Sequence, residues 1–212
     1  MSIMRSILSA MPDSVVDKIK RYTNKKRLNK WNSEGCPVPP PHVVKQLAIK
    51  EYQQKSDSSL LVETGTYYGD MVFAMRKNFK KIYSIELSEY FYNKAVKKFR
   101  KCPNIEIVFG DSGAMLKSLV PTIGQTAIFW LDGHYSGGKT AKGEKECPVY
   151  DELASIFASP LKHTILIDDA REFIGEKSYP TIEELSEFIS ANYPNKKIEV
   201  KDDIIRIEPI GD

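Results

Sequence analysis

The sequence predicts an α/β fold: a Rossmann-like, doubly wound sheet of seven strands, mostly parallel, with an antiparallel C-terminal hairpin and helices ahead of it. Three observations carry that prediction. From Leu60 onwards short apolar runs alternate with amphipathic stretches. The first run ends in an acid and two glycines, Glu63-Thr64-Gly65-Thr66-Tyr67-Tyr68-Gly69, and a helical pattern of Met71, Val72, Met75 and Phe79 follows directly. The last two runs, 197–201 and 204–208, flank Asp202-Asp203 as a hairpin flanks its turn.

Taken in order, the chain opens with Ile3, Ile7, Met11, Val15, Ile19 and Tyr22 at helical spacing. Pro12 and Asp13 are expected to divide this stretch into two short helices. A basic run from Lys18 to Lys30 ends at Trp31. It suits either a docking helix for an anionic membrane, glycan or partner protein, or helices packed on the main domain with solvated lysines outside. Packing is the more economical of the two. Pro37 and Pro39 to Pro41 impose an extended linker, a crevice wall or a plain spacer, because proline fixes φ and restrains its predecessor. Helix is expected over 42–54. Strands and helices then alternate: 81–86, 89–101, 105–110, 112–119, 127–131, 149–158, 164–167 and 181–191. Thr181 and Glu184 stand at capping-box spacing.

Net charge is +3, but it is unevenly spread: residues 1–50 carry ten Lys/Arg against three Asp/Glu. The basic character belongs to an N-terminal arm. Composition therefore places a basic helical arm and linker at 1–56 and the main domain at 57–212. Cys36, Cys102 and Cys147 are an odd, widely spaced set. They indicate neither a disulfide framework nor a zinc site, and fit a reducing cytoplasm. No apolar run reaches the roughly 20 residues that cross a bilayer, and Arg5 and Pro12 interrupt the one candidate leader.

A strand, glycine turn and helix in sequence place backbone N–H groups at the strand's carboxyl end, where a nucleotide-like cofactor commonly binds. A dinucleotide fingerprint needs a glycine where this chain has Tyr67. The segment resembles instead the first motif, E-x-G-x-x-x-G, of the class I S-adenosylmethionine-dependent methyltransferases. It is most similar to the G-T-Y-x-G variant of the divalent-metal-dependent O-methyltransferases of the catechol and macrolide-sugar type. Alone, the motif suits equally a strand-turn-helix whose glycines serve only the turn.

Further acids stand at strand ends. Glu86 lies about twenty residues past the glycine turn, where a carboxylate accepts from ribose hydroxyls; a merely charged strand end is the alternative. Asp111 or Ser112 would cap the following helix, and the resemblance implies that the pair also approaches adenine. The fourth strand ends in Asp132-Gly133-His134-Tyr135 and the fifth in Asp168-Asp169. Three converging carboxylates are unfavourable unless a cation relieves them. Oxygen ligands favour Mg²⁺, Ca²⁺ or Mn²⁺ over zinc. Alternatively, Asp132 or Asp169 caps a loop or pairs with Arg171. His134 is a candidate ligand or general base, or a loop histidine without chemistry. The glycine-rich loop from Tyr135 to Cys147 carries Lys139, Lys142 and Lys145, which would favour an anionic substrate, or merely keep the loop soluble.

The resemblance implies methyl transfer from S-adenosylmethionine to a hydroxyl of a small molecule, sugar or glycan. Glu63, Gly65, Thr66, Tyr67, Gly69, Glu86, Asp111, Ser112 and Asp132 would hold the cofactor. Mg²⁺ or Mn²⁺ would sit at Asp132, Asp168 and Asp169, with Asp132 and His134 serving catalysis. Nucleic-acid bases are not expected as acceptors: the Asn/Asp-Pro-Pro-aromatic motif of amino-directed enzymes is replaced by Asp132-Gly133-His134-Tyr135. The alternative is a methyltransferase-like adaptor that works through its basic arm.

Overall fold

The computed structural model describes residues 11–133, 147–176 and 178–210. Helices α1 (Asp13–Ser33) and α2 (His42–Ser56) precede β1 (Leu60–Thr64), α3 (Asp70–Met75), β2 (Lys81–Glu86), α4 (Glu89–Phe99), β3 (Ile105–Phe109) and α5 (Ser112–Leu119). β4 (Ala127–Leu131), α6 (Val149–Phe157), β5 (Thr164–Ile167), α7 (Ile182–Asn192), β6 (Lys196–Lys201) and β7 (Ile204–Pro209) complete the order. The seven strands form one sheet in the order β3-β2-β1-β4-β5-β7-β6. Its first five members run parallel, while β7 pairs antiparallel with both β5 and β6.

Strict alternation along the central strands divides the core between two faces. Val62, Phe129, Leu131, Ile165 and Ile167 meet Leu116 of α5, Leu153 and Ile156 of α6, and Leu185 and Ile189 of α7. Leu61, Ile128, Trp130 and Leu166 point the other way, onto Ile49 and Tyr52 of α2, Val72 and Met75 of α3, and Phe99 of α4. Helices on both faces explain why the strands read as unbroken apolar runs. The expected boundary at residue 56 runs through this second cluster, because α2 shares the core with the sheet.

The N-terminal region differs from expectation. The second of the two expected helices starts at Asp13, behind Pro12, but runs on to Ser33 and is not short. Lysine and arginine are good helix formers, so the basic run continues the helix. Val16 and Trp31 are buried, and Asp17 receives both Arg76 and Lys77 from the segment after α3. Lys20 reaches Asp70 at 3.2 Å. The helix is thus packed on the main body, with Lys18, Arg21, Lys25, Lys26, Arg27 and Lys30 exposed.

Candidate functional site

Register brings the candidate residues together. Thr64 lies beside Ile85 and Leu131, Leu131 beside Ile167, and Glu86 beside Phe109. The residues that follow each strand, Gly65, Gly110, Asp132 and Asp168, therefore line one edge with Glu86. That edge includes the switch point where the chain, having wound outward to β3, returns to lay β4 against β1. Ligands of open α/β sheets bind there.

The β1–α3 turn is shaped by close approach. Gly65 has φ +83°, and a Cβ on it would stand 2.2 Å from the Asp132 carbonyl oxygen. Gly69 has φ +64°, and its Cβ would stand 2.6 Å from the Phe99 ring. Between them, Tyr67 takes a left-handed conformation too. Thr66 is buried, its hydroxyl 2.6 Å from that of Ser84, which donates to the Glu63 carboxyl. Glu63 itself is buried beneath the turn, and burial pushes its carboxyl up to about 8.

Glu86 stands at the open side of this turn. Its Oε2 accepts from the Tyr67 N–H at 2.6 Å and its Oε1 from the Ser88 N–H at 2.8 Å. Burial raises its pKa, and the N–H groups of Ser88, Tyr67 and Leu87 oppose that rise. Each carboxylate oxygen keeps a lone pair for a further donor. Asp111 caps α5, accepting from the Ala114 N–H at 3.1 Å, and Ser112 behind it is buried.

Asp132, Asp168 and Asp169 converge as expected, each offering an oxygen within 4.8 Å of the others. A fourth residue joins them. Lys45 of α2 places its Nζ 2.6 Å from Asp168 Oδ2 and 2.8 Å from Asp169 Oδ1. Asp168 Oδ1 accepts the Asp169 N–H at 2.8 Å, and Arg171 Nη1 lies 2.9 Å from Asp169 Oδ1. Arg171 also donates to Asp203, whose backbone carbonyl receives the Ala170 N–H at 2.9 Å. The pairing of Asp169 with Arg171 is thus present. Burial raises Asp132 well above the usual carboxylate range, Asp168 adding to the effect, and raises Asp168 to about 7. Asp169, though pushed up by burial, ends below its ordinary value because Lys45 and Arg171 bond to it.

Sequence reasoning missed Lys45, and it missed Glu152. Glu152 of α6 is fully buried, and the hydroxyls of Thr64 and Ser112 are the polar groups that face it. A Cβ on Gly133 would stand 3.0 Å from the Thr64 hydroxyl and 3.5 Å from Glu152 Oε1. Burial pushes Glu152 up to about 7. Both misses share a signal: Lys45 lies on the buried stripe of Ala48, Ile49 and Tyr52, and Glu152 on that of Val149, Leu153 and Ile156. A charge on an apolar helix stripe demands a partner. His134, Tyr135, Lys139, Lys142 and Lys145 lie outside the described residues. A groove of about 580 Å³ beside Tyr150, Tyr179 and Phe188 includes none of the strand-end residues.

No protein-family model matches the chain, and no curated protein does. Solved structures match its fold. The O-methyltransferase TomG from Streptomyces achromogenes, involved in tomaymycin synthesis and solved with S-adenosylmethionine, aligns at a TM-score of 0.58 and 12% identity, over 89% of each chain. An O-methyltransferase from Bacillus cereus, solved with S-adenosylhomocysteine, aligns at 0.60 and 14% identity over 93% of this chain and 97% of that one. A Podospora anserina methyltransferase, also bound to S-adenosylhomocysteine, gives 0.57 and 13% over 94% and 97%. The fold is that of the class I S-adenosylmethionine-dependent methyltransferases. O-methyltransferases are among the structures that share it.

Proposed function

We propose that the protein is an S-adenosylmethionine-dependent O-methyltransferase whose acceptor is a hydroxyl of a small molecule, sugar or glycan. One observation carries this reading most directly: the β1–α3 turn, closed against the Asp132 carbonyl at Gly65, presents the tethered carboxylate of Glu86 at the switch point. Such a cradle suits a ribose with two hydroxyl donors, and the matched O-methyltransferases crystallised with this cofactor or its product support the choice.

When bound, S-adenosylmethionine supplies an electrophilic methyl group; the S–CH₃ bond breaks as the O–CH₃ bond forms, leaving the thioether. The chain's own residues bind and orient. Glu86 accepts from the ribose, Asp111 and Ser112 flank the adenine, and Gly65 lets the ligand chain approach the backbone. Asp132 and His134 are the two bases expected to take the hydroxyl proton. Asp132 ends β4 with its carboxyl raised by burial, Asp168 adding to the rise. Lys139, Lys142 and Lys145 would draw an anionic acceptor.

The experiment is calorimetry with S-adenosylhomocysteine, followed by methyl transfer from labelled cofactor to panels of phenols and hydroxylated sugars. Binding with turnover supports the proposal. Binding without turnover on any panel favours the adaptor reading, for which one observation speaks. Along α1, Val15, Ile19 and Tyr22 stay exposed beside the lysines, as does Met11 just ahead of it, as a docking helix requires.

A further inference from the structure

Three acids at the ends of β4 and β5 create the electrostatic problem that a divalent cation ordinarily solves. Here a side chain of this protein already meets it. We infer that the Lys45 ammonium is the resident cation of the Asp132–Asp168–Asp169 cluster, standing where a metal-dependent site would hold Mg²⁺ or Mn²⁺. The cluster on this view binds no divalent metal in the native protein.

The oxygen inventory supports it. Asp168 commits Oδ2 to Lys45 and Oδ1 to the Asp169 N–H, and Asp169 Oδ1 is shared by Lys45 and Arg171. Magnesium sits about 2.0–2.1 Å from each ligand oxygen. Placed on these oxygens, it would lie within roughly 3–5 Å of the ammonium, where like charges repel strongly at a partly buried site. Lys45 would have to leave, yet it is largely buried, with a side-chain exposure of 14%, in a helix whose neighbours Ala48, Ile49 and Tyr52 are fixed in the core. Its withdrawal would strand a buried ammonium without a partner. Arg171 is a second cation at the same corner, bridging Asp169 and Asp203.

The inference deepens the proposed function by naming what takes the metal's place near the acceptor, but its test needs neither acceptor nor turnover. Mn²⁺ is titrated onto the full chain, saturated with S-adenosylhomocysteine, and bound metal is read by electron paramagnetic resonance. The wild type is expected to bind no Mn²⁺ at this cluster. Lys45→Met should create a site, saturating at Mn²⁺ concentrations on the order of 100-fold below any at which the wild type shows binding. Asp168→Asn in that background should remove it, and Lys45→Arg should bind none. Should Lys45→Met fold poorly, Mn²⁺ should raise its melting temperature while leaving that of Lys45→Arg unchanged. Stoichiometric Mn²⁺ binding by the wild type, lost in Asp168→Asn, would overturn the inference. So would equal Mn²⁺ affinity in wild type and Lys45→Met. Failure to bind S-adenosylhomocysteine would instead count against the cofactor proposal, and the same Mn²⁺ titrations on the unliganded chain would still decide this inference.

Discussion

Gly65 and Asp132 touch through their backbones: any side chain on the first would collide with the carbonyl of the second. The ends of β1 and β4 are thereby fixed against each other, and the glycine turn has one position relative to the acid cluster. Gly65→Ala is expected to shift both, since its φ of +83° and the 2.2 Å approach each disfavour a Cβ. The variant should melt well below the wild type and lose S-adenosylhomocysteine binding in calorimetry. Unchanged affinity would separate the turn from the ligand.

Glu86 is tied by two backbone donors, so a glutamine there keeps the shape but loses the charge and one acceptor. Glu86→Gln should weaken S-adenosylhomocysteine by about 1.5–3 kcal/mol, the range for a hydrogen bond to a charged group. Calorimetry at neutral pH decides. Full affinity in a folded variant would place the ribose elsewhere.

Buried Glu63 and Glu152 make stability depend on pH. Their carboxyls titrate near 8 and 7 in the folded protein, against 4.5 ordinarily. Below pH 4.5 both states are protonated and the contribution is whole. Above it the unfolded chain ionises first, so stability falls as pH rises through the folded values. Glu63→Gln with Glu152→Gln should flatten the decline in melting temperature between pH 5 and pH 8.5. Parallel slopes for variant and wild type would mean that these groups ionise normally.

Truncation tests the boundary. Deleting residues 1–30 removes buried Val16 and the Asp17–Arg76 pair, a loss of roughly 2–4 kcal/mol, and should leave a cooperatively folding protein. Deleting residues 1–56 also removes Ala48, Ile49 and Tyr52 from the core, and circular dichroism should then show no cooperative transition.

Exposed Met11, Val15, Ile19 and Tyr22 give the docking proposal its own test. Sedimentation with phosphatidylserine vesicles should pull down the full chain at low salt, and Lys25→Glu with Lys26→Glu should release it. No sedimentation with either protein would leave α1 as a packed helix only.

β1, β4 and β5 were legible because each is a short, largely apolar run closed by glycine or acid. The edge they form was legible because parallel winding forces their carboxyl ends together. Asp132, Asp168 and Asp169 met for that reason. Lys45 was harder to see: its partners lie far along the chain, and contacts across a helix–sheet interface leave no local spacing. Its position on the stripe of Ala48, Ile49 and Tyr52 was the available clue, and Glu152 offered the same clue on α6. The length of α1 was misjudged because a run of lysines resembles a solvated linker although its backbone favours helix.

Asp203 has a temporal consequence. It sits in the β6–β7 turn and holds Ala170 and Arg171, and Arg171 in turn holds Asp169. During synthesis, Lys45 leaves the ribosome long before this turn does. The acidic corner of the crevice can therefore lock only when the final hairpin inserts beside β5, and a nascent chain halted before Asp203 would carry every motif of the site without its finished geometry.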